Sequence, residues 1–63
     1  MSIMNNEKIN ELLNDNGIAT YRSGVTGAVF IDYTLFREWD KIPAFLKANG
    51  LEENGNTQAI TLA

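Results

Sequence analysis

The side chains able to do chemistry in this chain are mostly carboxylates. Asp32, Glu38 and Asp40 lie close together in the sequence, and two carboxyl groups facing one another can divide general-acid and general-base roles. Helical spacing sets Glu38 beside Arg37, Lys41 and Ile42 instead, so these acids read as surface charge. Ser2, Ser23 and several threonines offer hydroxyls, but the chain holds no His and no Cys. That removes the usual base that activates a hydroxyl, and the thiolate that would need no such help. No catalytic set results, and no enzymatic activity is expected.

Two stretches offer oxygen ligands beside a glycine, Asn14-Asp15-Asn16-Gly17 and Glu52-Glu53-Asn54-Gly55-Asn56. A calcium loop needs ligands at alternate positions and a distal Glu, which neither supplies. Both read as helix endings or turns, and neither a metal nor another cofactor is expected.

The charge balance narrows the partners. Five basic and eight acidic residues give a net charge of −3. The bases (Lys8, Arg22, Arg37, Lys41, Lys47) form no run, whereas a phosphate backbone or an anionic lipid surface calls for a basic patch. Direct nucleic-acid binding and membrane association are therefore disfavoured, and a protein partner with a basic or neutral surface suits the sign. No charged-then-apolar leader is visible and no apolar run approaches the ~20 residues that span a bilayer, so a cytoplasmic setting is expected.

These residues must be positioned by a small scaffold. The length of 63 residues suits one domain, 1–63, with one thin core. Ile9, Leu12 and Leu13 share a helical face, with Ser2, Asn5 or Asn6 available as cap and Asn16-Gly17 as the ending. Leu46-Lys47-Ala48-Asn49-Gly50-Leu51 shows the same ending. The segments around the two differ, so the recurrence reads as one capping solution used twice and not as an internal repeat.

Residues 18–23 alternate like a strand, Gly24-Val25-Thr26-Gly27 makes a turn, and Ala28 to Tyr33 forms a second, more apolar strand. Leu35, Trp39, Ile42 and Leu46 form a helical stripe that Thr34 could cap. Pro43 costs ~3 kcal/mol inside a helix but little in its first turn. A kink, or a break into helices 35–40 and 41–49 with Asp40 as cap, is expected near Asp40 to Pro43. Residues 52–56 read as a polar turn and 57–63 as a third strand. The expected class is α+β, in the order helix-strand-strand-helix-strand. Its sheet has three strands with both helices on one face, and a right-handed crossover leads to the last strand.

The stretch TGAVFIDY, residues 26–33, resembles the aromatic strand of RNA-recognition domains at Gly27, Phe30, Ile31 and Tyr33. That resemblance implies a single-stranded nucleic-acid surface built on Tyr21, Phe30 and Tyr33. However, Thr26 stands at the basic position, Ala28 at the first aromatic position, and a second aromatic strand is missing. The stretch therefore reads as a core strand.

The aromatic residues exceed what so small a sheet needs. Trp39 is either the largest piece of the core or, with Tyr33 and Phe36, an interface anchor rimmed by acids. The expected interface comprises Tyr21, Asp32, Tyr33, Phe36, Glu38, Trp39, Asp40, Glu52 and Glu53. The expected function is that of a small acidic protein-binding module, a stoichiometric inhibitor or modulator of a larger and nucleic-acid-handling protein. In type it is similar to phage and mobile-element accessory proteins such as anti-restriction and anti-CRISPR inhibitors, on size and charge alone. A homodimer is the alternative, joined through the Trp39 face or an outer sheet edge that few charges protect.

Overall fold

The computed structural model describes residues 4–63, and Ser2, one of the expected caps, lies outside them. The first helix, α1, spans Asn6–Asp15 because Asn5 starts it. The Asn5 Oδ1 accepts the Lys8 backbone N–H at 2.9 Å, occupying a donor that the first turn leaves free. At the other end Gly17 takes φ 77°, where L-residues are strained and glycine is not. Its N–H reaches Asn14 O at 3.0 Å, and the Ile18 N–H reaches Leu13 O at 2.9 Å. This double bond pattern closes the helix and folds Ile18 over Leu13, both buried.

A hairpin follows, β1 Thr20–Arg22 and β2 Val29–Ile31. The chain then turns at Asp32, makes a 3₁₀ turn at Trp39–Lys41 and enters α2, Ile42–Ala48. Pro43 sits in the first turn of α2, where its missing N–H has no partner to lose. The expected break is therefore present, but the helix expected over 35–40 is not. Asp32 Oδ1 accepts both the Thr34 N–H (3.0 Å) and its hydroxyl, which holds Thr34 in a turn instead of at a helix cap. Asp40 does not cap α2 either; Lys41 holds that position without a side-chain bond. Of the expected stripe, Ile42 and Leu46 are buried while Leu35 is 72% exposed.

The sheet has four antiparallel strands where three were expected. Residues Leu51–Glu53 form β3, which pairs with β4, Ile60–Leu62. Two glutamates in a three-residue strand hide it from a propensity reading. The strand order is β1-β2-β4-β3. The crossover from β2 thus ends on the far edge strand, and β4 returns antiparallel between them. Registers place Val29, Ile31, Leu51 and Ile60 on one face, since directly opposed residues share a face. These residues form a single core with Ile9, Leu13, Ile18, Ile42 and Leu46. This core is wholly aliphatic. Trp39, read from the sequence as either its largest piece or an interface anchor, is 54% exposed.

The two Asn-Gly endings are more than a shared cap. Ile9, Leu12, Leu13, Asn16 and Gly17 of the first unit correspond, 33 residues on, to Ile42, Phe45, Leu46, Asn49 and Gly50. Both asparagine side chains donate four residues back, to Leu12 O and Phe45 O, each at 2.8 Å. The hairpin turns correspond at 31 residues. Ser23 Oγ accepts from Val25 and Thr26 N–H, as Asn54 Oδ1 accepts from Asn56 and Thr57. The Thr26 and Thr57 hydroxyls then accept from Ala28 and Ala59. The chain is one helix-strand-strand unit used twice, contrary to the reading of a cap alone. The equivalent residues Val29 and Ile60 pair at its centre, so the two hairpins are related by an approximate twofold axis through the sheet, while the helices pack differently on the strands: α1 lies against β1, β2 and β4, and α2 against β3 alone.

One asymmetry in the repeat is testable. Gly27 has φ 74°, and its counterpart Gln58 has φ 66°. A side chain in that region costs about 1–2 kcal/mol, part of which the extra freedom of an unfolded glycine offsets. Gln58→Gly is expected to raise the unfolding free energy by about 0.5–1 kcal/mol and Gly27→Ala to lower it by about 1 kcal/mol. Urea unfolding monitored by circular dichroism measures both.

Candidate functional site

The two units are joined by the connection 32–41. It carries Tyr33, Phe36 and Trp39. Where it meets α2 and β3 it borders an open cleft of about 690 Å³. Tyr33 and Trp39 line one side, Pro43 and Lys47 come from successive turns of α2, and Glu52 and Glu53 come from β3.

The side chains here are tied down. The Trp39 indole N–H donates to the Tyr33 carbonyl at 3.0 Å. The two rings meet edge to face with centroids 6.1 Å apart and an interplanar angle of 84°, the arrangement favoured by their quadrupoles. The Tyr33 hydroxyl donates to Glu53 Oε2. Burial, joined by the bond to Glu53 and the charge of that carboxylate, pushes the Tyr33 phenol up to about 12. One tyrosine thus fixes an indole on one side and a carboxylate on the other.

Of the nine expected interface residues, the structure brings together Tyr33, Trp39, Glu52 and Glu53. Phe36 and Glu38 line a separate hollow of about 210 Å³ with Lys41 and Phe45, on the far side of Ile42. There Glu38 is paired with Lys41, which raises the lysine's pKa through that hydrogen bond. Asp32 serves the turn at Thr34, whose hydroxyl and N–H hold its carboxyl below the usual range. Asp40 is exposed and lines neither cavity. Tyr21 lies on the opposite, helix-free face of the sheet. It stacks there on Phe30 with centroids 5.2 Å apart. The face imagined from Tyr21, Phe30 and Tyr33 is therefore divided, with Tyr33 on the helix side.

Sequence reasoning missed Pro43, Lys47 and Leu51 as lining residues. Pro43 and Lys47 are four apart on one helix and so share a face, which was the available signal. Leu51 needed β3 to be seen first. No helix among the described residues is long and apolar enough to cross a membrane. The chain matches no family model, no curated protein and no solved structure.

The Tyr33–Glu53 bond has a titration signature. A group whose folded pKa is raised contributes stability that is full below its unfolded value and is lost as pH climbs through the folded value. For Tyr33 that window runs from the ordinary 10.0 to about 12. Absorbance titration of the folded chain is expected to show a tyrosinate step near the upper value, absent in Tyr33→Phe. Glu53→Gln should bring it down part of the way, since burial remains.

Proposed function

We propose that the chain is a non-enzymatic binding module that inhibits or modulates a larger protein by seating the Trp39 cleft on its surface. The observation that supports this most is the state of Trp39: half exposed, yet locked by its bond to Tyr33 O and by the Tyr33 ring. A large aromatic held in one orientation at the surface gives contact area at little cost in freedom, the property of interface anchors. The cleft's acids, Glu52 and Glu53, and the net charge of −3 favour a basic or neutral partner surface.

The most concrete partner is a protein that handles nucleic acid, because its basic groove is the kind of surface an acidic module fills. This is the mode of phage and mobile-element accessory proteins of the anti-restriction and anti-CRISPR type, to which this chain is compared by size and charge only. A cytoplasmic setting accords with it.

The test is capture by the tagged full chain from nuclease-treated lysate, washed at low and high salt and read by mass spectrometry. One dominant protein at near-equimolar yield, weakened by salt, is expected. Trp39→Ala should weaken its binding by about 30-fold or more, the effect of a lost anchor worth about 2 kcal/mol, with the circular dichroism spectrum unchanged. Neutral amides at Asp32, Glu38, Asp40, Glu52 and Glu53 together should weaken it as well; full affinity in that variant would remove the electrostatic part. Recovery of the bait alone, with a dimer in sedimentation, would replace the proposal with self-association.

A further inference from the structure

We propose that the Trp39 cleft is an arginine site: it takes one arginine side chain of the partner, with its guanidinium on Glu53 and its plane against the Trp39 indole. The identity of the ligand group follows from the cleft itself, and only its origin on a partner protein rests on the reading above.

The sign of the site comes from Glu53. Its Oε2 accepts the Tyr33 hydroxyl, and its other oxygen has no protein partner among the described residues. The ion pair found among them is Lys41 with Glu38, outside the cleft. Lys47 lines the cleft but lies beyond pairing distance of both Glu52 and Glu53. A carboxylate is therefore fixed in place with an open position and no cation of its own. Glu52 beside it adds to the negative side of the balance.

The shape of the group comes from the rings. Trp39 and Tyr33 present aromatic surface next to that carboxylate, and Pro43 also lines the cleft. A guanidinium is planar, weakly hydrated and always charged. It stacks on an aromatic face while giving parallel N–H donors to a carboxylate, which a lysine ammonium cannot do. Tyr33 touches Trp39 through its ring and Glu53 through its hydroxyl, so the two features lie one tyrosine apart. An arginine side chain can lay its stem along the rings and bring its head to the carboxylate. Because both are already held, little ordering is needed on binding.

The position in the fold points the same way. In the repeat Glu53 corresponds to Arg22, which lies on the same face of the first hairpin. Arg22 is turned to its own hairpin, donating through Nε and Nη2 to Gly27 O at 3.1 and 3.0 Å. At the equivalent place in the second unit the charge is reversed and directed to the cleft, where residues 32–41 supply the aromatics.

The experiment titrates the full chain with Nα-acetyl-arginine amide at constant ionic strength. It follows emission of the sole Trp and the indole N–H resonance. The same titration is run with the citrulline and lysine analogues, and with Glu53→Gln, which still accepts from Tyr33 but carries no charge. Arginine is expected to saturate with a Kd of about 1–10 mM, the range open to so few atoms. Lysine should bind at least about 3-fold more weakly, and citrulline and the Glu53→Gln variant at least about 10-fold more weakly. Equal binding of citrulline, unchanged binding by Glu53→Gln, or no saturation by about 100 mM arginine overturns the proposal. A captured partner that Glu53→Gln still binds fully, while Trp39→Ala does not, overturns the arginine site and leaves the binding reading intact. Arginine saturation with no captured partner does the reverse.

Discussion

Val29 and Ile60 face one another across β2 and β4 with no solvent exposure, and the two halves of the chain are joined through that pairing. Each half is local in its contacts: a helix, a glycine ending and a short hairpin that close on themselves. Between the halves, β2 lies against β4 and α1 against β4. A domain of this size buries too little surface to have stability to spare. Trimming either central side chain to Ala would cost about 2–4 kcal/mol, a large share of what such a chain can hold.

The repeated use of aliphatic side chains in the two units leaves the aromatics to the connection 32–41. The two units already fill the core with aliphatic side chains, Ile, Leu and Val in matching positions. Tyr33, Phe36 and Trp39 are therefore left at its margin. Pro43 fixes where α2 can begin, and the Asp32–Thr34 turn fixes where β2 must end. Between these two constraints the chain has room only for a turn and a 3₁₀ segment, and that brings the Trp39 N–H to Tyr33 O.

Much of the scaffold was legible because it rests on strong local chemistry. Asn5 as a cap, Asn16-Gly17 and Asn49-Gly50 as endings, the Gly24–Gly27 turn and Pro43 in a first turn each follow from one residue's backbone preferences. What was not legible depends on partners distant in sequence. Strand β3 reads as a polar turn until Glu53 is seen to bond Tyr33 and Leu51 to face the core. The repeat is masked because the helix parts match at 33 residues and the hairpins at 31, and because Gln58 stands where Gly27 does. The stripe from Leu35 to Leu46 gave Trp39 a core position that the Asp32 turn overrides. Of the interface, the aromatic–acid pairing of Tyr33 and Trp39 with Glu52 and Glu53 came together. Phe36 and Glu38 were drawn to another hollow, and Tyr21 to the open sheet face.

Glu53 links the fold to the cleft. Strand β3 is an edge strand, and an uncharged edge invites pairing with another chain. Glu52 and Glu53 oppose such pairing by charge. Glu53 points to the helix side, since it stands opposite Ile60, and there it stays exposed with its carboxylate open to a donor. Tyr33 supplies it, and in doing so positions the ring against which Trp39 rests. The acid that guards the edge, the bond that satisfies it and the aromatic surface beside it are one arrangement. An apolar residue at position 53 would loosen all three together, whereas an apolar residue at Glu38 would free only its lysine.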